Sequence, residues 1–166
     1  MGNKREKEFT ELIELNQGII HKITKIYGNN RDEQNDLFQE IVYQLWKSYD
    51  SFQGNSKFST WMYRVSLNTA ITIFRKKKIK YASLDDISFK IKSEEYDSEV
   101  EDQLKMLYAA IKKLNDIEKA MVFLYLENRP GKEIAETLGI SEVNARVKMN
   151  RIKTKLKKII QENNYD

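Results

Sequence analysis

The sequence predicts an all-α protein built as two small helical domains joined by a flexible linker. Three observations carry this reading. Glycine and proline are scarce, six and one among 166 residues. Apolar residues recur at three- and four-residue spacing along most of the chain, the period of an amphipathic helix. That rhythm fades over residues 81–102, where serine and acidic residues accumulate, as expected of a linker at a domain boundary. The domains are therefore expected at 9–80 and 103–162.

The first helical face comprises Phe9, Leu12, Ile13, Ile19, Ile20, Ile23 and Ile26, and stops near Gly28-Asn29-Asn30, a helix-ending sequence. Asp36 is a candidate cap for the next helix. That helix is expected to bury Leu37, Phe38, Ile41, Val42, Leu45 and Trp46, and to turn Gln39, Glu40, Gln44 and Lys47 outward. A polar loop from Ser51 to Lys57 follows. A third helix, about 59–78, carries Trp61, Met62, Val65 and Ala70 on one side, with Arg64, Asn68, Thr72 and Arg75 along another. It ends in a lysine-rich run, 76–80.

Beyond the linker, Leu104, Leu107, Tyr108, Ile111 and Leu114 mark one helix; a pause at Asn115-Asp116 precedes a second through Met121, Phe123, Leu124 and Leu126; and Pro130-Gly131 breaks that one. The sharpest local signal is 132–141, KEIAETLGIS, which has the form of a helix-turn-helix. Ala135 permits close approach of the helices, Gly139 a left-handed turn, Ile140 fills the space between helices, and Ser141 caps the second helix. In that second helix Ala145, Met149, Ile152, Leu156 and Ile159 form the buried stripe, and Asn144, Lys148, Arg151 and Lys155 one flank of it. Such a flank suits a major groove, its first turns reading base edges and its later cations holding phosphates. Val147 suits a thymine methyl.

Composition narrows the function. With no cysteine and a single histidine, His21, neither a disulfide framework nor a zinc cluster is expected, and no cofactor or metal is called for. The apolar runs fall far short of the ~20 residues of a membrane-spanning helix, and the charged stretch from Met1 to Asn16 is unlike a secretory signal. A cytoplasmic protein with no membrane insertion is expected. Lys and Arg outnumber Asp and Glu fourteen to nine in residues 1–80 and thirteen to eight in 103–166, but stand two against eight in 81–102. Two basic modules flanking an acidic strip suit a protein that touches a polyanion twice. No glycine-rich phosphate loop, histidine pair or nucleophile–base arrangement points to an enzyme.

The N-terminal half adds a more specific pattern: residues 36–41, DLFQEI, with Leu45-Trp46 behind them, then Phe52-Gln53-Gly54, then 58–65, FSTWMYRV, and Asn68-Thr69-Ala70. This set resembles region 2 of extracytoplasmic-function (ECF) sigma factors, and Leu114 to Leu156 is similar to their region 4. The resemblance implies an alternative sigma factor that catalyses nothing itself and directs RNA polymerase to promoters. It implies docking of Asp36, Gln39, Glu40 and Gln44 on the clamp helices of the polymerase's largest subunit, with the flap of the second largest as a further contact. It places the opening of the minus-ten element on Asn55, Ser56 and Lys57 of the loop and on Arg64, Asn68, Arg75 and Lys76 of the helix. It places recognition of the minus-thirty-five element on Lys132, Ser141, Asn144, Arg146, Val147, Lys148, Arg151 and Lys155. The acidic linker would thread the polymerase channel, and an anti-sigma factor is a candidate partner. Two departures bear on promoter preference: Pro130-Gly131 stands where many members start the first helix with a polar residue, and Val143 and Val147 make the recognition helix less polar. Two alternatives stay open: a free-standing helix-turn-helix regulator binding duplex DNA as a dimer, and a sigma-like subunit brought to DNA by another protein. Trp61 is favoured as a packing residue over a base-stacking platform.

Overall fold

In the computed structural model, residues 2–81 and 99–163 are described, with side chains for 2–77 and 100–163. Every regular element among them is helical, and they fall into two compact units. The first holds α1 (Gly2–Tyr27), α2 (Arg31–Ser48) with a short 3-10 turn at Tyr49–Ser51, and α3 (Phe58–Tyr81). The second holds α4 (Glu99–Lys112), α5 (Asp116–Leu126), α6 (Gly131–Leu138) and α7 (Glu142–Asn163).

In the first unit each helix packs on the other two. Their shared core is Ile20, Ile23 and Ile26 of α1, Leu37, Ile41 and Leu45 of α2, and Met62, Leu67 and Ala70 of α3, all essentially inaccessible to water. Each of the isoleucine, leucine and methionine side chains contributes roughly 1.5–3 kcal/mol of burial. On α2 the strictly buried residues recur every four positions, while Phe38, Val42 and Trp46 are only half-buried. Helix α1 starts earlier than its apolar pattern, at Gly2.

Asp36 does not cap α2. The helix begins five residues earlier, capped by Asn30, whose Oδ1 accepts the Glu33 N–H at 2.8 Å, while Glu33 Oε2 accepts the Asn29 N–H at 2.9 Å. The α1–α2 turn depends on a close approach. A Cβ at Gly28 would sit 2.7 Å from Gln34 Cγ and 2.9 Å from the Thr24 carbonyl oxygen, so only glycine fits without displacement.

In the second unit α7 packs against α4, α5 and α6. Ala110, Ile111, Met121, Leu124, Ile134, Ala135, Ala145, Met149 and Ile152 form its core. Leu104 stays largely exposed near the start of α4. The pause at Asn115 is a capping box: its Oδ1 accepts the Glu118 N–H at 2.8 Å and its own N–H donates to Glu118 Oε1 at 3.4 Å. Helix α4 starts at Glu99 and so occupies the end of the stretch expected as linker; residues 82–98 of that stretch lie outside the described residues.

Candidate nucleic-acid interface and docking face

Helices α6 and α7 make the helix-turn-helix. Pro130, at φ −65°, leads into α6, and Gly139 ends it in the left-handed region at φ 68°, where a Cβ would be strained. The Ile140 N–H reaches back to the Ala135 carbonyl at 3.0 Å, closing the C-terminal end of α6. Ser141 then caps α7, its Oγ accepting the Asn144 N–H at 3.1 Å. Ala135 is buried and Ile140 half-buried. Of the expected stripe, Ala145, Met149 and Ile152 are buried, while Leu156 and Ile159 are half-buried where the helix runs out along the unit.

Lys132, Ser141, Asn144, Arg146, Val147, Lys148, Arg151 and Lys155 are all exposed. Val143 and Val147 stand out to water at 66% and 43% exposure, so an apolar strip runs between the polar flanks of α7. Lys155 is engaged within the unit: its ammonium lies 3.0 Å from Glu118 Oε1. Of the opposite flank the sequence reading named only Arg146 and missed Asn150 and Lys153. There Arg146, Asn150 and Lys153, with Tyr125, Arg129 and Gly131, line an open cavity of about 290 Å³. Lys153 Nζ stands 4.3 Å from the centroid of the Tyr125 ring, and Arg129 pairs with Glu133 at 3.9 Å. The signal was present in the sequence, since Arg146, Asn150 and Lys153 follow at four- and three-residue spacing.

On the first unit, Asp36 and Gln39 are exposed on α2, and Glu40 and Gln44 are half-buried. The Gln44 amide donates to Glu40 Oε1 at 3.0 Å, so these two present a joined polar surface. Tyr43, 55% exposed, sits among them. An exposed aromatic within a polar helix face is the residue type that dominates binding energy at interfaces.

The loop to α3 turns at Gly54, φ 75°, and leaves Asn55, Ser56 and Lys57 exposed. Arg64, Asn68, Thr72, Arg75 and Lys76 continue the exposed surface along α3. Beneath the loop is an aromatic cluster. Trp61, only 9% exposed, has ring centroids of Phe52, Phe58 and Tyr49 at 5.3, 5.4 and 6.3 Å, so it packs rather than offering a stacking platform. Within the lysine run, Lys77 is tied down, 3.4 Å from Glu33 and 5.1 Å over the Phe74 ring; the side chains of Lys78 and Lys80 lie outside the described residues. Among the described residues no helix is long and apolar enough to cross a membrane.

Known proteins share both units. Residues 12–79 match the family model of sigma-70 region 2, and residues 104–156 that of sigma-70 region 4. The ECF RNA polymerase sigma factor SigW of Bacillus subtilis is 34% identical over 73 residues, 44% of this chain and 39% of SigW. The match thus spans well under half of that relative. The RNA polymerase sigma factor SigZ of the same organism is 25% identical over 144 residues, 86% of this chain and 78% of SigZ. Among solved structures, the sigma factor RpoE of Bartonella quintana, in complex with the anti-sigma factor NepR, has a TM-score of 0.76 at 18% identity, covering 93% of this chain and 98% of that one.

Proposed function

The chain belongs to the sigma-70 family, with the region 2 and region 4 domains of an ECF sigma factor, and we propose that it acts as an alternative sigma factor directing RNA polymerase to start transcription at a particular set of promoters. The observation that carries this reading is the pairing of two exposed surfaces in one chain. A helix-turn-helix suffices to read a duplex. The first unit adds a polar docking face on α2 and a loop with a cationic helix row, Arg64 to Lys76, which a free-standing duplex reader does not need.

Each unit has a distinct task in this reading. Asp36, Gln39, Glu40, Tyr43 and Gln44 dock on the polymerase clamp helices. Asn55, Ser56 and Lys57 receive a base flipped from the minus-ten element, while Arg64, Asn68, Arg75 and Lys76 hold the separated strand. Extruding a base costs a few kcal/mol of stacking, which a fitted polar pocket and a cationic groove offset. Helix α7 reads the minus-thirty-five duplex, and the contacts of its cations with phosphate weaken with salt. The protein supplies binding and strand opening in the cytoplasm, and the polymerase supplies phosphoryl transfer. An anti-sigma factor is a fitting regulator, as RpoE was solved with one.

Sedimentation with core polymerase tests the reading. A monomer that cosediments with core supports it; a dimer that ignores core and binds a palindromic duplex alone overturns it in favour of a free-standing regulator.

A further inference from the structure

The first turns of α1 lie ahead of the segment that matches region 2, which begins at residue 12, yet they reach the end of α2 just before the minus-ten loop. One Arg5 guanidinium nitrogen lies 2.7 Å from Asp50 Oδ1. The same guanidinium stands over the Trp46 ring at 4.6 Å and the Tyr49 ring at 5.7 Å. One turn on, Phe9 packs its ring 5.0 Å from Trp46 and 5.2 Å from Tyr49. Tyr49 and Asp50 form the 3-10 turn that delivers the chain to Phe52, whose N–H donates to the Tyr49 carbonyl at 3.1 Å. Phe52 in turn abuts Phe58 and Trp61, at 5.6 and 5.3 Å between ring centroids. Both ends of the loop that holds Asn55, Ser56 and Lys57 therefore rest on one aromatic cluster, and Arg5 clamps its outer edge.

We infer that Arg5 is a positioning residue for promoter opening: through Asp50, Trp46 and Tyr49 it fixes the turn from which the minus-ten loop departs. The inference rests on the proposed sigma function. An exposed ion pair alone is weak, and the guanidinium stack on two rings gives this one a defined geometry. A loop held in its binding shape loses less freedom when it captures a base. Arg5 contacts no DNA in this scheme, so its effect is on strand opening and not on phosphate attraction.

The test compares full-length parent, Arg5→Gln, Arg5→Lys and Asp50→Asn in holoenzyme on a promoter fragment that the parent selects. Opening is read from permanganate reactivity of unpaired thymines, alongside core affinity and salt dependence. Arg5→Gln and Asp50→Asn are each expected to lower opening about three- to ten-fold, the range that one weak ion pair and one cation–ring contact allow. Core affinity and the slope of binding against salt should not change, and Arg5→Lys should recover part of the loss. Three outcomes overturn the inference: opening by Arg5→Gln equal to the parent's; a salt slope reduced by about one, the mark of a direct phosphate contact; or stronger opening by Asp50→Asn, the mark of a carboxylate that merely repels DNA. A parent that selects no promoter removes the functional reading itself and the inference with it, an outcome distinct from equality of variant and parent.

Discussion

Lys155 on α7 places its ammonium 3.0 Å from Oε1 and 3.3 Å from Oε2 of Glu118, the same carboxylate that closes the capping box of α5. One acidic side chain thus caps the start of one helix and anchors another. Any phosphate that recruits Lys155 must compete with Glu118 for it.

Loss of Glu118 should therefore be felt twice. Glu118→Ala is expected to destabilise the second unit by about 1–2 kcal/mol, from a weakened helix start and a lost ion pair. Lys155→Ala should cost about 0.5 kcal/mol or less, since an exposed pair contributes little. The two tryptophans, Trp46 and Trp61, both lie in the first unit. Calorimetry with tryptophan fluorescence as an internal control should show a lowered transition that the fluorescence does not follow.

The α1–α2 turn makes the opposite use of the tryptophans. Gly28→Ala forces a methyl to within 2.7 Å of Gln34 Cγ and 2.9 Å of the Thr24 oxygen. Overpacking of this kind costs about 1–3 kcal/mol, and urea unfolding followed by tryptophan fluorescence should show it as a lower midpoint. An unchanged midpoint would contradict this, since the Thr24 oxygen is backbone and does not move with the Gln34 side chain.

Ser66 is fully buried in α3, and its Oγ has no hydrogen-bond partner among the described residues. Ser66→Ala removes that hydroxyl without breaking a bond and improves helix propensity, so stability should hold or rise by up to about 1 kcal/mol. A loss larger than about 1 kcal/mol in the same unfolding measurement would contradict this.

Docking and duplex reading should separate by mutation. Lys148→Ala is expected to weaken minus-thirty-five binding several-fold through the loss of one phosphate or base contact, leaving core affinity alone. Glu40→Lys, which also breaks the Gln44 hydrogen bond at 3.0 Å, should weaken core binding and spare the isolated duplex contact. Fluorescence anisotropy with labelled core and labelled duplex reads both. Equal promoter binding by Lys148→Ala and parent would sink that assignment.

The features legible in the sequence are those that depend on neighbours along the chain. Gly139 and Ser141 announce a left-handed turn and a cap because backbone geometry demands those residue types within a few positions. The buried stripe of α7 follows from its spacing alone. Asp36 was misread as a cap because the apolar rhythm of α2 begins only at Leu37; its polar first turn, from Arg31, carries no periodic signal, although Asn30 and Glu33 stand at capping-box spacing. Tyr43 was passed over because periodicity does not say which aromatics stay outside. The links Arg5–Asp50 and Lys155–Glu118 join residues distant in sequence, and nothing local to either partner foretells them.

The central claim is tested most directly by run-off transcription with purified core polymerase, with and without this protein, on promoter fragments of its own genome. New, discrete start sites that need the protein are the predicted result, and their upstream sequences would give the promoter motif. Absence of any protein-dependent start, together with no binding to core, would contradict the account.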